Sequence, residues 1–168
     1  MLFRITGLLF CLFFGQVLFG QTYYCDTAHI SQTDKQLIEQ FWVDFKTAIN
    51  TKDKVRLSSL IQFSFTCDYC IANTSKDKND AYLRVTKALF NSAQYKIFFD
   101  PKLVKTANKS SSLFSILFIT KNDTSKLCDL NFGYASAEPS KQWEGQQHFF
   151  TIKKINDKFL ITSAWTVP

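Results

Sequence analysis

The stretch that most constrains the fold lies near the C-terminus, where residues 146–167 read QQHFFTIKKINDKFLITSAWTV. Two runs rich in Phe, Ile, Thr and Trp flank a polar break at Asn156, Asp157 and Lys158. Such side chains favour the pleated, half-buried surface of a strand. Asn and Asp tolerate the left-handed backbone angles of a tight turn. The stretch therefore predicts a β-hairpin, which we expect at the centre of a twisted antiparallel sheet that the rest of the chain covers.

The N-terminal residues 1–20 predict a secretory signal peptide. Arg4 provides a positive start, an apolar stretch follows, and the small residue Gly20 precedes the expected cleavage point. The apolar stretch is too short for a comfortable membrane span, and no later stretch of the sequence predicts one. A retained N-terminal anchor is the alternative, because Leu18 is larger than the residue usual three places before a cleavage point.

Residues 21–168 have the length of a single domain with one core. The chain carries a formal net charge of +6, with its Lys residues spread along the sequence. A clustered basic patch is the mark of nucleic-acid binding, so spread lysines favour an ordinary solvated surface and no nucleic-acid partner. The eighteen Phe residues are the oddity of the composition, and they can supply a thick core or line a cavity. We expect an exported protein, periplasmic or extracellular.

Helical periodicity predicts three helices ahead of the sheet. The first begins after Ser31 or Thr33 and carries one continuous apolar stripe. A shorter helix is expected over residues 53–61, with Val55 pointing inward. A third is expected over residues 80–93.

Alternation and apolar runs predict further strands. These lie at residues 62–66, 95–99, 113–120 and 127–134. The run at 113–120 is apolar on both faces, which predicts a central strand that is buried on each side. Pro101 is expected to end the strand before it, and residues 105–112 are expected to form a loop.

This order of elements resembles the nuclear transport factor 2-like superfamily, an α+β cone. The resemblance rests on the apolar strand 150–155, the turn Asn156–Asp157 and the strand 159–165 that ends in Trp. The first helix and the turn at residues 50–53 resemble the opening of the family's fold, so the likeness covers about residues 31–167. It implies an α+β fold in which three N-terminal helices pack on a strongly curved antiparallel sheet of four to six strands.

The resemblance leaves the activity open, because the family includes steroid isomerases, dehydratases, hydrolases and many non-catalytic binding domains. Its enzymes place Asp, His or Tyr at inward positions, and none of their motifs maps onto this sequence. We therefore predict a non-catalytic domain, without a cofactor, that binds a small apolar ligand or a protein partner. The family's use of the outer sheet face implies that a homodimer is also open to this chain.

Aromatic side chains at expected inward positions are candidates to line a ligand pocket at the open end of the cone. Ordinary core packing is the alternative for each of them. The candidates are Trp42, Phe45, Tyr82, Phe114, Phe118, Phe132, Phe150 and Trp165.

The chain has two histidines, and only His148 lies in a predicted strand. Alternation places it on the same face as Phe150, so a nearby carboxylate or Tyr hydroxyl would make it a general base. That arrangement predicts the alternative function, a small pocket enzyme of isomerase or hydrolase type. Asp129 is the acidic residue inside a late strand, but alternation turns it to the face opposite Phe132. His29 lies in the lead-in and is expected to be exposed.

The exported part of the chain has four cysteines, Cys25, Cys67, Cys70 and Cys128. An even number in an exported chain predicts two disulfides, for which three pairings are open. A redox pair at Cys67 and Cys70 is an alternative, but it needs a helix to begin there, and residues 71–75 do not start an amphipathic helix. A zinc site is a further alternative, although it would join one Cys-x-x-Cys pair to two isolated cysteines.

Overall fold

The protein is described here from a computed structural model. The described residues are 25, 27–70, 83–121 and 128–167. The predicted signal peptide at residues 1–20 and the pocket candidate Tyr82 lie outside them. The architecture is α+β, with helices and a six-stranded mixed sheet. None of the helices in this part of the chain is both long and apolar enough to cross a membrane.

The elements follow one another in the order helix, helix, strand pair, helices, strands. The α-helices are α1 (Gln32–Thr51), α2 (Lys54–Ser59), α3 (Lys87–Ser92) and α4 (Pro101–Lys109). The strands are β1 (Ile61–Cys67), β2 (Leu83–Val85), β3 (Phe118–Lys121), β4 (Cys128–Ala137), β5 (Gln146–Ile155) and β6 (Lys158–Val167). They lie side by side in the order β2-β1-β6-β5-β4-β3.

The predicted hairpin is confirmed and forms the middle of the sheet. β5 and β6 pair antiparallel along their whole length, from Ile155 opposite Lys158 to Gln147 opposite Val167. Asn156 and Asp157 form the turn with φ of 48° and 58°. Two successive left-handed residues make the tight turn whose twist matches that of the flanking strands.

The first helix and the first strand are also confirmed. Ser31, and not Thr33, caps α1, because its side chain accepts a hydrogen bond from the Asp34 N–H at 3.1 Å. The predicted strand 62–66 is the centre of β1. Val55 on α2 does not point inward as predicted, since 79% of its side chain is exposed.

The sheet is mixed, and the prediction of an antiparallel sheet is wrong in this respect. β1 runs parallel to β6, with Thr66 opposite Ser163 and Cys67 opposite Ala164. Alternation indicates which side chains share a face of a strand, but it carries no information about a neighbour that lies about a hundred residues away in sequence. The parallel direction of the β1–β6 pairing could therefore not be predicted from the sequence.

The helices do not all precede the sheet. Of the α-helices that the structure describes, only α1 and α2 precede it, and residues 83–85, predicted as helix, form the short strand β2. Leu83 and Val85 are buried there, and Val85 pairs with Phe65 of β1. Pairing with β1 gives the backbone N–H and C=O groups of residues 83–85 their hydrogen-bond partners. This gain outweighs the weak helical preference of these residues.

The predicted strand at residues 95–99 is wrong, because these residues belong to the 3-10 helix Gln94–Phe99. Pro101 does not end an element but begins α4, where its fixed φ and missing N–H suit the first helical position. Asp100 caps this helix, since its Oδ1 accepts the Lys102 N–H at 2.8 Å. The predicted loop at 105–112 is therefore helical as far as Lys109.

The run at residues 113–120 divides into two parts. Leu113–Ser115 is a 3-10 turn with Leu113 fully buried, and only Phe118–Lys121 forms a strand. That strand, β3, lies at the edge of the sheet, paired with β4 alone, so the predicted central position is wrong. A short apolar run does not distinguish a buried strand from a buried turn by its pattern.

The core lies between α1 and the sheet and consists largely of aromatic rings. Phe45 of α1 is central, with its ring centroid 5.4 Å from that of Phe132 and 6.4 Å from that of Phe98. Trp42 is fully buried, and its Nε1–H donates to the Ser110 carbonyl at 3.4 Å. Many of the aromatic side chains noted in the composition therefore pack together in the core.

Candidate functional site

Polar side chains from three other segments converge on His148. His148 lies on β5 directly opposite Tyr134 on β4. Asp100 comes from the start of α4, and Tyr69 from the loop that follows β1. All four side chains are buried or half-buried.

Two hydrogen bonds join three of these side chains in a row. The Tyr134 hydroxyl donates to Asp100 Oδ2 at 2.8 Å, and it lies 3.1 Å from His148 Nδ1. The Tyr69 ring stacks on the His148 ring with centroids 3.9 Å apart and planes 18° from parallel. The sequence interpretation required a carboxylate or a Tyr hydroxyl near His148, and the structure places the Tyr134 hydroxyl in direct contact and the Asp100 carboxylate one hydrogen bond further away.

Asp129 is not the carboxylate of this group. As alternation predicted, it lies on the other face of the sheet, and its Oδ1 is 2.9 Å from Lys153 Nζ. Sequence reasoning missed Asp100, Tyr134 and Tyr69. A signal for Asp100 was present, since Asp before Pro is a favourable start for a helix.

The hydrogen bonds determine which His148 nitrogen carries the proton. An ionised carboxylate only accepts, so the single hydroxyl hydrogen of Tyr134 is directed at Asp100. The Tyr134 oxygen can then only accept from His148, which requires a proton on Nδ1. In neutral His148 the lone pair is therefore on Nε2, the nitrogen available to take up a proton.

The surroundings favour uncharged side chains at His148 and at both tyrosines. Burial lowers the pKa of His148 from its ordinary value, and the negative charges of Asp100 and Asp68 oppose this. Burial raises the pKa of Tyr69 and that of Tyr134, so both phenols stay protonated. The Tyr69 hydroxyl oxygen is buried and has no hydrogen-bond partner among the described residues.

Four of the pocket candidates lie in the core between α1 and the sheet. Trp42, Phe45, Phe132 and Phe150 are all fully buried, and their rings contact one another. Phe114 is partly buried at the margin of the core. The remaining two described candidates, Phe118 and Trp165, pack together on the opposite face of the sheet, with ring centroids 6.4 Å apart.

A different apolar depression lies beside the central hairpin, and we call it the apolar cleft. It has a volume of about 320 Å³. Its walls come from the first half of α1, the end of α2 and the start of β6. The apolar lining residues are Leu37, Phe41, Leu60, Phe159 and Leu160, and the polar ones are Gln40, Asp44, Ser59, Asp157 and Lys158.

The four cysteines form two disulfides, as predicted. Cys25 bonds to Cys128 across 103 residues, and Cys67 bonds to Cys70 across 3. These bonds occupy all four sulfurs that a zinc site would have used. Cys67 is fully buried at the end of β1, so it lacks the helix N-terminus that lowers the pKa of redox cysteines. The short disulfide instead closes the loop that holds Tyr69 against His148.

Comparison with known proteins adds no family. No protein-family model matches the chain, and no curated protein matches it in sequence. The resemblance to the nuclear transport factor 2-like superfamily therefore stays a prediction. The geometry of the described residues is therefore the basis for the function proposed below.

Proposed function

We propose that the chain is an exported, disulfide-stabilised, non-catalytic domain of the nuclear transport factor 2-like type. It binds a small apolar ligand in the apolar cleft beside the central hairpin. The α+β architecture and the two disulfides support the type of domain and an oxidising compartment. Residues 1–20 supply the export signal in this proposal.

The observation that carries the proposal is the apolar cleft. Small-molecule sites are concave, mostly apolar and fitted with a few polar groups, in volumes of about 300–1,000 Å³. The cleft is at the lower end of that range, which favours a compact ligand. Leu37 and Leu160 are half-buried and keep apolar surface open to it, while Gln40 and Lys158 stand exposed at its margin.

A bulky side chain at the margin of the apolar cleft should weaken ligand binding there. The probe is N-phenyl-1-naphthylamine, an uncharged apolar dye whose fluorescence rises when it leaves water. We expect it to bind the native chain, and we expect Gln40→Trp to weaken binding at least tenfold, or about 1.4 kcal/mol. The indole would occupy the space that the dye requires.

The matched control is Val43→Trp on the same helix. Val43 is 53% exposed and does not line the cleft, so dye affinity should stay within about twofold of the native value. Equal affinity in both variants, or no dye binding by the native chain, would contradict the proposal.

The hydrogen-bonded row at His148 favours a second candidate function, proton transfer by a small pocket enzyme. Nε2 of His148 would take a proton from a weakly acidic substrate, as a general base does. The positive ring would then be stabilised by Tyr134, which is itself held by Asp100. Tyr69 offers a neutral hydroxyl, to which no described residue is hydrogen-bonded, as a donor to developing negative charge.

This second candidate makes a direct prediction for nuclear magnetic resonance. With only two histidines, His29→Gln assigns the imidazole signals. We expect neutral His148 to carry its proton on Nδ1, and its pKa to lie below the ordinary 6.5 because of burial. Asp100→Asn should lower the pKa of His148 further, because the charge of Asp100 raises it. Long-range proton–nitrogen correlation spectra, recorded against pH, measure both properties.

The lowered pKa of His148 makes the stability of the fold depend on pH. Because the pKa of His148 is lower in the folded chain, the unfolded chain binds the proton more tightly. The contribution of His148 to stability is therefore complete above the unfolded pKa and declines as the pH falls below it. A proton on Nε2 in neutral His148, or a pKa above 6.5, would remove the basis of this candidate.

A further inference from the structure

The face of the sheet that points away from α1 carries a polar groove of about 310 Å³, which we call the outer groove. Asn131 and Thr151 form its floor, on the opposite side of their strands from Phe132 and Phe150. The outer groove shares no lining residue with the apolar cleft. It is therefore a separate candidate site, and neither the proposed function nor the second candidate uses it.

One half of the outer groove is a row of hydrogen bonds that runs in a single direction. Trp165 Nε1 donates to Thr151 Oγ1 at 3.1 Å, and Thr151 Oγ1 donates to Asn131 Oδ1 at 2.7 Å. Asn131 Nδ2 then donates to Thr120 Oγ1 at 2.9 Å. The hydrogen of the exposed Thr120 hydroxyl is thus left at the end of the row, available to an acceptor outside the protein.

The other half of the outer groove has unused hydrogen-bonding groups. Thr66 and Ser163 lie opposite each other on β1 and β6, and within the described residues their hydroxyls have no hydrogen-bond partner. Beside them, Asp68 Oδ2 accepts the Thr166 N–H at 3.0 Å, while its buried Oδ1 has no partner in the part of the chain that the structure describes. A buried polar atom without a partner is uncommon enough to call for a water molecule or a ligand, and Asp68 Oδ1 is such an atom. Thr66 and Ser163 are half-buried, so their hydroxyls are open to a ligand as well as to water.

A rigid aromatic surface borders these groups. Trp165 stacks on Phe149 with ring centroids 4.4 Å apart, and its hydrogen bond to Thr151 prevents the indole from rotating. The Trp165 side chain is half-buried, so part of the ring remains open to the groove. A ring held in place in this way loses little entropy when a ligand packs against it.

The charges around the outer groove do not favour an anion. Among its described lining residues there is no Lys or Arg. Asp129 is paired with Lys153, and Arg84 stands opposite Thr66 on β2, beyond the lining. A polypeptide that adds a strand would use a free sheet edge, at β2 or β3, and not this face.

From these groups we propose that the outer groove binds a neutral saccharide. Sugar hydroxyls donate and accept alike, which suits the free hydroxyls of Thr66 and Ser163 and the acceptor oxygen of Asp68. The apolar C–H face of a sugar ring packs on the indole of Trp165, as apolar groups pack on Trp elsewhere. The groove is open and shallow, so the ligand lies along the sheet and stays largely solvated.

The test uses neutral oligosaccharides of glucose, xylose and N-acetylglucosamine as probes. At least one should bind with a Kd below about 1 mM and shift the backbone amide signals of Thr66 and Ser163. Thr66→Val and Ser163→Ala should each weaken that binding by about threefold to tenfold, the range for one lost hydrogen bond. Neither change removes an internal hydrogen bond, so folding should be unaffected.

Two controls separate the outer groove from general effects. Thr47→Val makes the same change on α1, outside the groove, and should leave the Kd unchanged. Trp143→Phe removes a 48% exposed indole that does not line the groove and should also leave it unchanged.

Three results would overturn the proposal. The first is the absence of amide shifts in the groove with every probe. The second is tighter binding of oligouronic acids than of neutral oligosaccharides, which would make the ligand anionic. The third is a dimer, seen by light scattering, that Trp165→Arg dissociates, because the groove would then be an interface between two copies. None of these results affects dye binding in the apolar cleft.

Discussion

Replacement of Phe45 by Ala should lower the free energy of unfolding by about 3–5 kcal/mol, the usual loss for a buried Phe. The Phe45 side chain is fully buried on α1, and its ring centroid lies 5.4 Å from that of Phe132 and 6.5 Å from that of Phe150. Truncation removes these contacts and leaves a cavity that the neighbouring rings fill only in part. Urea denaturation followed by circular dichroism measures the loss, provided that the m-value stays constant.

Val55→Ala is the control for this measurement. Val55 is 79% exposed on α2, so its truncation should change the free energy of unfolding by no more than about 0.5 kcal/mol. If Phe45→Ala cost less than about 1 kcal/mol, the rings between α1 and the sheet would not form a close-packed core. Such a result would favour a ligand pocket lined by these rings over the assignment of the ligand to the apolar cleft.

Removal of the Cys25–Cys128 disulfide should have an effect of similar size. The bond joins residues 103 apart, and a cross-link that closes a loop of this length stabilises a fold by about 4–5 kcal/mol in the chain-entropy account. The double variant Cys25→Ala/Cys128→Ala should therefore unfold at a much lower urea concentration. The disulfide also fastens the lead-in before α1 to the first residue of β4, so its loss frees that segment.

The second disulfide provides the matched comparison. Cys67 and Cys70 are 3 residues apart, and the same account assigns about 2 kcal/mol to so short a loop. The double variant Cys67→Ala/Cys70→Ala should therefore lose less than half as much stability as the first. An equal or larger loss would show that the short disulfide acts mainly in the folded state, through the loop that holds Tyr69 on His148.

The elements that the sequence predicted well are those with complete local signals. The α1 helix has a side-chain cap at Ser31 and an apolar stripe from Leu37 to Ile49, and the structure begins it at the next residue. The β5–β6 hairpin has a two-residue turn, Asn156–Asp157, whose residue types suit its left-handed angles. In both cases the residues that determine the element lie within it.

The elements that were predicted wrongly are short apolar runs without such signals. Residues 95–99 and 113–120 have the apolar pattern of a strand. Phe98 and Leu113 are nevertheless buried as parts of 3-10 helices. These residues reach the core without a strand because α4 and its cap at Asp100 set the path of the chain between them. The competing conformation is stabilised by packing partners far away in sequence.

For the candidate sites, the alternation of residues along a strand predicted which face of the sheet a side chain lies on. It did not predict which other side chains it contacts. It placed His148 on the inner face and Asp129 on the outer face, because successive side chains of a strand point to opposite sides. It could not bring Tyr134, Asp100 and Tyr69 to His148, since they depend on strand register, on the start of α4 and on a disulfide loop. The outer groove likewise needs Thr66 of β1 beside Ser163 of β6, a parallel pairing across 97 residues of sequence.

The sequence by itself thus determined the central hairpin, the first helix and the supply of aromatic side chains for a core. The tertiary structure alone decided that the rings around Phe45 are buried against one another, and it decided which polar groups meet. The physical reason is the range of the interactions. Backbone angles and amphipathic periodicity act over a few residues, whereas packing and strand order join residues that only the complete fold brings together.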